Sequence, residues 1–108
     1  MKLEIQAVYE VLETEVFSKW FKRLKDKNAK ISIARRILRL KAGNFGDSKF
    51  IGDNVFELRI DVGKGYRVYF MNRKGRIVLL LSGGNKTTQE ADIKTAKKMV
   101  MEVLKDED

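Results

Sequence analysis

The chain has 108 residues and a formal net charge of +8, with 44% apolar and 35% charged residues. This length and balance fit one folded domain over residues 1–108 and argue against a disordered chain. Cysteine and histidine are absent, which excludes disulfides, thiolate chemistry and imidazole bases. We therefore expect no metal or cofactor. The positive charge favours an acidic partner, which is a nucleic acid, an anionic surface or an acidic protein.

The N-terminal residues do not have the pattern of a secretion signal. Residues 1–17 contain four glutamates and no long apolar run, and no segment of the chain is long enough to span a bilayer. We therefore expect a cytoplasmic protein that makes no use of a membrane.

The first half of the chain predicts a strand and two helices. Weak alternation of apolar and polar residues over 2–11 favours an edge strand. Thr14 can cap a helix, because apolar residues follow it at helical spacing. Asn28 is predicted to open a second helix, which Gly43 and Asn44 end. The apolar face of this second helix is predicted to hold Ile31, Ala34, Ile37, Leu38 and Leu40.

The second half predicts an antiparallel meander and a closing helix. Residues 44–54 have loop composition. Strands are then predicted at 55–62, 66–71 and 76–82. Thr87 and Glu90 have the spacing of a capping box, and the helix that follows is predicted to bury Ile93, Ala96, Val100, Val103 and Leu104. The order β-α-α-β-β-β-α indicates an α+β fold, an antiparallel sheet backed by helices.

Three cations are predicted to lie together in the meander. Arg59 and Arg67 share one face of two paired strands, and Lys86 lies in the loop before the last helix. A helix N-terminus, the pair Gly83-Gly84 and a lysine form a plausible phosphate seat. An alternative is a solvated ladder of charges on the strand, which contributes little.

Further residues are candidates for contact with RNA. Residues 18–41 hold ten basic residues against the single acid Asp26, a bias that favours a face for a nucleic acid or an acidic partner over a merely solvated one. Tyr69 shares the predicted face of Arg67, where it either packs or stacks on a base. Trp20 is predicted to be part of the core. The RNA-binding candidates are Arg35, Arg36, Arg39, Lys49, Lys64 and Tyr69.

Three stretches of the chain resemble a known family. They are FSKWFKRLKDKNAKISIARRILRLKAGNFGDSKFIGDNV, ELRIDVGKGYRVYF and IVLLLSGGNKTTQEADI. From about residue 8 to the C-terminus, the sequence is similar to the HigB-like addiction-module killer proteins of the RelE/ParE toxin superfamily. The resemblance implies a compact β-α-α-β-β-β-α fold and a toxin that a cognate antitoxin neutralises. Contact with operator DNA is then expected only through the antitoxin.

The RelE-like branch of this superfamily cleaves messenger RNA, usually on the ribosome and without a metal. The chemistry is attack of a 2′-hydroxyl on the adjacent phosphate, which needs proton transfer and charge stabilisation. By resemblance, Arg67 matches the arginine after Gly-Tyr, Arg59 a basic residue on the preceding strand, and Lys86 the basic residue before the last helix. These three are the expected catalytic residues.

The chain also departs from the family pattern. Glu57 stands where some RelE-like ribonucleases have a second basic residue, and Asp92 lies near the position of a catalytic tyrosine. The general base stays open among Glu57, a lysine and Tyr69. The ParE-like branch implies a second function, the inhibition of DNA gyrase by binding. A third reading is a nucleic-acid-binding module without toxicity.

Overall fold

The computed structural model describes residues 8–106, which form one five-stranded sheet and three helices. The elements in chain order are β1 Glu10–Glu13, α1 Glu15–Arg23, α2 Lys27–Lys41, β2 Ser48–Gly52, β3 Val55–Ile60, β4 Tyr66–Arg73, β5 Ile77–Asn85 and α3 Gln89–Lys105. The strand order is β1-β5-β4-β3-β2. Strands β2 to β5 pair antiparallel, and β1 adds parallel to β5 at one edge. The predicted α+β class, a sheet backed by helices, is confirmed.

Helices cover both faces of the sheet and create two cores. On one face, α1 and α2 pack against side chains such as Leu58, Val68 and Leu80. On the other face, α3 packs against a second cluster that includes Tyr69 and Leu81. Because strand side chains alternate between faces, residues of opposite parity on β3 and β4 enter different cores. None of the helices within residues 8–106 is long and apolar enough to cross a bilayer.

The strand β2 lies inside the stretch that the sequence predicted to be a loop. It is a five-residue edge strand in which the neighbouring residues Lys49 and Phe50, on opposite faces of the sheet, are both exposed, so it lacks the apolar alternation that marks a half-buried strand. The first strand is an edge strand, as predicted, and spans Glu10–Glu13. Residues 2–7 of the predicted strand lie outside the described residues.

The start of α2 and its buried face differ from the prediction. Asp26 caps the helix by accepting a hydrogen bond from the Ala29 backbone N–H at 3.0 Å, so Asn28 lies inside the helix. Leu40 is buried as predicted and the predicted Ile37 is partly buried. The other buried residues are Ala29 and Ile33, whereas the predicted Ile31 and Leu38 are 51% and 61% exposed. Both sets have helical spacing, and only the packing against the sheet selects between them. Ala34, which was also predicted to be buried, is exposed.

Both remaining helix starts involve threonine. Thr14 caps α1 as predicted, accepting from the Phe17 N–H at 3.1 Å. The cap position of α3 is Thr88, one residue later than predicted, and its side chain makes no capping hydrogen bond. The Thr87 hydroxyl donates to Asn85 Oδ1 at 2.6 Å, so the predicted cap at Thr87 is wrong. Ala96 and Val100 are buried in α3 as predicted, but Leu104 is 39% exposed near the helix end.

Gly83 and Gly84 permit close packing on opposite faces of β5. A Cβ atom added at Gly83 would lie 2.3 Å from the Trp20 ring atoms Cε3 and Cζ3. A Cβ atom added at Gly84 would lie 1.8 Å from Asp92 Oδ2. The pair therefore admits α1 on one face and the start of α3 on the other. The sequence suggested a phosphate seat for these glycines, and the structure gives them this packing role.

Replacing Gly83 with alanine should destabilise the fold because the ring of Trp20 must move. We expect a loss of about 3 kcal/mol, at the upper end for an overpacked site, measured by urea unfolding. The fluorescence of Trp20, the only tryptophan, should change in the folded variant. Gly75→Ala is the control without a steric clash, because nothing lies within 4 Å of the added Cβ. Its φ of 78°, which Gly83 does not share, adds only a backbone strain of about 1 kcal/mol. Equal losses with unchanged fluorescence would contradict this packing role.

Candidate functional site

The β3–β4 hairpin places Arg59 and Arg67 directly opposite each other. The register pairs Arg59 with Arg67 and Glu57 with Tyr69, so all four side chains belong to the face that α3 covers. The turn between the strands has positive φ at Gly63 and Gly65, 55° and 73°, a backbone conformation that glycine adopts without cost. The hairpin thus brings the two arginines together, as the sequence predicted.

A cleft opens on this face beyond the start of α3. We call it the cation cleft; it encloses about 350 Å³ and is lined by Asp47, Arg59, Asp61, Arg67 and Lys86. Lys86 enters it because β5 ends at Asn85, next to the hairpin turn. A Cβ atom added at Gly65 would lie 3.5 Å from Lys86 Cβ and 3.6 Å from Arg67 Nη1. The structure therefore gathers the three cations that the sequence singled out.

Arg67 is held rigidly and presents one nitrogen to the cleft. Its Nη1 donates to the backbone carbonyls of Gly65 and Tyr66 at 3.1 and 3.2 Å. Its Nε lies 3.9 Å from Oε1 of the buried Glu57, an ionic contact too long for a hydrogen bond, and within the described residues neither atom has a hydrogen-bond partner. Within residues 8–106, Nη2 has no hydrogen-bond acceptor, and it is not one of the buried atoms that lack one. This nitrogen can therefore donate to an anion in the cleft.

Glu57 supports Arg67 from inside the protein. The carboxylate is fully buried, and its Oε2 accepts a hydrogen bond from Gln89 Nε2, in the first turn of α3, at 2.7 Å. A buried charge is costly unless it is paired, so the negative Glu57 and the positive Arg67 depend on each other. Because Glu57 does not reach the surface, it cannot accept a proton from a substrate in the cleft.

Tyr69 is also buried and does not offer a stacking surface. Its ring packs in the core beneath α3 and is fully shielded from solvent. Burial raises the pKa of Tyr69, and the nearby carboxylates of Glu57 and Asp92 raise it further. The structure thus corrects the prediction of Tyr69 as an RNA contact, because strand alternation gave its face but not the helix that covers it.

The two carboxylates of the cation cleft differ in their partners. Asp47 Oδ1 accepts from Nε and Nη2 of Arg59 at 3.3 and 3.2 Å. Both side chains of this ion pair are about half exposed, so the pair contributes little to stability. The Asp61 side chain, just after β3, has no hydrogen bond or ion pair within the described residues. Asp47 therefore competes for Arg59 with any anion, while Asp61 is available.

The three arginines of α2 do not have equivalent positions. Arg36 donates to the backbone carbonyls of Arg59, Phe45 and Asp47, and burial lowers its pKa. Arg36 therefore connects the loop that precedes β2 with strand β3. These hydrogen bonds engage its guanidinium, which was predicted to contact RNA. Arg35 and Arg39 are exposed and line a second cleft of about 220 Å³ that shares Asp61 with the cation cleft.

The remaining predicted cations lie outside the cation cleft. Lys49 is exposed on the edge strand β2, where it pairs with Glu57 in register. Lys64 lines a separate cleft on the other side of the hairpin turn. The start of α3 carries Glu90 and Asp92 in its first turn, and these acids already complement the helix dipole. Of the predicted phosphate seat, only Lys86 therefore faces the cleft.

Three residues around the cation cleft were not identified from the sequence. Asp61 alternates with Arg59, so the strand pattern could have placed it at the cleft. Asp47 is in a loop and Gln89 in a helix start, and no local pattern connects either residue to β3. Only the tertiary fold brings Asp47 to Arg59 and Gln89 to Glu57.

Comparison with known proteins identifies the family. A family model described as "Phage derived protein Gp49-like (DUF891)" matches residues 19–103. The chain belongs to this Gp49-like family. An uncharacterized protein of Haemophilus influenzae is 50% identical to the Gp49-like chain over 94 residues, which cover 87% of the chain and 95% of that protein.

The fold is similar to that of a solved toxin–antitoxin structure. A chain of the intact E. coli RelBE toxin–antitoxin complex superposes with a TM-score of 0.59 at 16% sequence identity. The match covers 71% of the Gp49-like chain and 95% of the E. coli chain. At this identity the similarity concerns the fold, which agrees with the RelE-like architecture that the sequence implied.

The two Arg–carboxylate pairs of this face should respond differently to loss of the carboxylate charge. Glu57→Gln keeps the shape but leaves Arg67 buried and unpaired, so we expect a loss of about 3 kcal/mol in urea unfolding. Asp47→Asn is the matched control at the exposed Arg59 pair and should cost less than about 1 kcal/mol. Similar losses in the two variants would refute the support that Glu57 gives to Arg67.

Proposed function

We propose that this Gp49-like chain is the toxin of a type II toxin–antitoxin system, of the HigB-like kind, and that it is an endoribonuclease. Its substrate is messenger RNA during translation, and its cleavage inhibits protein synthesis in the cytoplasm. The observation that supports this most is the cation cleft, where Arg59, Arg67 and Lys86 surround one space. The fold shared with a chain of the RelBE complex supports the toxin assignment.

The cleft cations suit a phosphate that gains charge in the transition state. Arg67 would donate from Nη2 to a non-bridging oxygen, and its position is fixed by Glu57 and two carbonyl groups. Arg59 would exchange its exposed partner Asp47 for a second oxygen. Arg67 is thus the preorganised donor of the pair, and a donor of this kind stabilises developing charge without reorganisation. These charges let the reaction proceed without a metal ion.

Two proton transfers complete the reaction. Since Glu57 and Tyr69 are buried, we assign the acceptor to Asp61, the unengaged carboxylate of the cleft. Asp61 takes the proton of the 2′-hydroxyl group while the 2′-oxygen of the ribose forms a bond to phosphorus. The bond from phosphorus to O5′ then breaks, and Lys86 gives a proton to the leaving oxygen. The products are a 2′,3′-cyclic phosphate and a 5′-hydroxyl.

The proposed partners follow from the charge of the surface. Arg35 and Arg39 are exposed beside the cation cleft, where they would contact the backbone of messenger or ribosomal RNA. A cognate antitoxin with an acidic or amphipathic segment would cover the same cations and block access. Operator DNA would be contacted only through that antitoxin.

Substitutions in the cleft test the ribonuclease assignment. On messenger RNA in purified ribosome complexes, Arg67→Ala should lower the cleavage rate on the order of 10²-fold or more. Replacing Arg67 leaves the buried Glu57 without its counter-charge, which can also disturb folding. Lys86 is on the surface, so Lys86→Ala should fold normally and should still lower the cleavage rate about 10-fold or more. Lys98→Ala, exposed on α3, is the control for charge. Cleavage at the wild-type rate by Arg67→Ala would sink the assignment.

The same preparation decides between the branches of the superfamily. A protein that leaves messenger RNA intact but inhibits DNA gyrase in a supercoiling assay would have the ParE-like function. Normal growth of cells that express the chain alone would instead indicate a nucleic-acid-binding module without toxicity.

Asp61→Asn tests the proposed proton acceptor. The variant should cleave about 10²-fold more slowly while binding RNA at least as tightly, because a negative charge leaves the cleft. Binding is measured with 2′-O-methyl RNA, which has no nucleophile and stays intact. Asp47→Asn is the matched carboxylate control and should keep cleavage within about fivefold. If Asp61→Asn cleaves as fast as Asp47→Asn, another group accepts the proton.

A further inference from the structure

The cleft that Lys64 lines is distinct from the cation cleft and from the cleft beside Arg35 and Arg39, and it lies on the other side of the hairpin turn from the cation cleft. We call it the Trp20 cleft; it encloses about 560 Å³, and its lining includes Trp20, Arg23, Lys25, Lys64 and Asn85. It belongs to the α1 side of the sheet, whereas the cation cleft belongs to the α3 side. The residues of the Trp20 cleft take no part in the cleavage chemistry proposed above.

Trp20 provides a fixed aromatic surface in this cleft. Its ring packs against Gly83, where a Cβ atom would lie only 2.3 Å away, and against Phe17 at 5.7 Å between ring centroids. The sequence predicted a core tryptophan, yet the side chain is only partly buried and lines the cleft. A rigid, partly exposed indole is the kind of platform on which single-stranded bases stack.

The cations around Trp20 are not used by the protein itself. Within residues 8–106, the side chains of Arg23, Lys25 and Lys64 make no hydrogen bond or ion pair. Asp26 also lines the cleft, and its Oδ1 accepts from the Ala29 N–H at the start of α2, so the lining sets three cations against one carboxylate. An aromatic surface with unpaired cations is the combination that holds a nucleic-acid strand by its bases and its phosphates.

The two clefts are neighbours along the chain. Asn85 lines the Trp20 cleft, and the next residue, Lys86, lines the cation cleft. Likewise Gly63 lines the Trp20 cleft, while Gly65 packs against Lys86 and Arg67. Only the hairpin turn and the end of β5 separate them. A single RNA strand that leaves the cation cleft over this ridge would enter the Trp20 cleft.

We propose that the Trp20 cleft is a subsite for an RNA nucleotide next to the scissile phosphate. A base packs on the exposed part of the Trp20 indole, and Arg23, Lys25 and Lys64 hold the adjoining phosphates. The subsite rests on the proposed ribonuclease function for its place in the reaction. It adds a binding determinant outside the catalytic cleft and gives Lys64 its RNA contact there.

The fluorescence of Trp20 reports directly on this subsite, since the chain has one tryptophan. Single-stranded 2′-O-methyl RNA is titrated into the wild-type chain, and we expect saturable quenching of the indole emission. An oligomer of the same length whose sites are abasic carries the phosphates without bases. It should bind more weakly and quench little, because base stacking causes the signal.

Charge reversal locates the bound strand. The double variant Lys25→Glu/Lys64→Glu should weaken RNA binding on the order of tenfold, measured by anisotropy of labelled RNA. The matched control Lys94→Glu/Lys98→Glu changes the net charge equally at two exposed positions of α3 and should have less than about a threefold effect. The Trp20→Phe variant keeps an aromatic ring against Gly83. Its affinity for RNA should lie between those of the wild-type chain and the Lys25→Glu/Lys64→Glu variant.

The outcomes separate this subsite from the proposed function. If the chain cleaves RNA but Trp20 emission does not respond, and both double variants bind equally, the subsite is overturned and the ribonuclease stands. If base-containing RNA quenches Trp20 but no RNA is cleaved, the subsite stands and the ribonuclease assignment fails. Equal quenching by the abasic oligomer would also overturn the stacking of a base on Trp20.

Discussion

The buried pair of Glu57 and Arg67 is the interaction on which the rest of the site depends. Arg67 is 8% exposed, and a counter-charge and two backbone carbonyl groups offset the cost of placing its charge at the boundary of a core. Glu57 supplies that charge at 3.9 Å, and its other oxygen accepts from Gln89 in α3. The same contacts therefore link the packing of α3 to the orientation of Arg67. The site is rigid because the core is built around one of its cations.

Close packing at β5 decides where the remaining groups lie. Gly83 and Gly84 let Trp20 and Asp92 approach the strand from opposite faces, so β5 ends between two helices. The last residue of β5, Asn85, lines the cleft on the α1 side, and the next residue, Lys86, lines the cleft on the α3 side. A strand end held in this way can serve both a reacting phosphate and the nucleotide beside it. In the proposed reaction, the nucleotide subsite and the catalytic cleft would lie on opposite faces of β5 and meet at the end of this strand.

Much of this arrangement follows from local sequence patterns. The period of two in β3 and β4 put Arg59 and Arg67 on one face, and the turn glycines put them opposite each other. What local patterns lack is the other side of each contact. The alternation that groups Tyr69 with Arg67 does not say that α3 covers Tyr69, and helical spacing in α2 fits Ile31 as well as Ile33. Asp47, Gln89 and the edge strand β2 are defined only by tertiary pairing.

We propose that the cation cleft cleaves RNA by transesterification, and the chemical nature of the product ends is the decisive observation. Ribosome complexes programmed with messenger RNA are incubated with the purified chain or its Lys86→Ala variant, and the new ends are mapped. We expect 2′,3′-cyclic phosphate and 5′-hydroxyl ends, which should form much more slowly with the variant. Intact messenger RNA, or ends that form equally fast with Lys86→Ala, would contradict it.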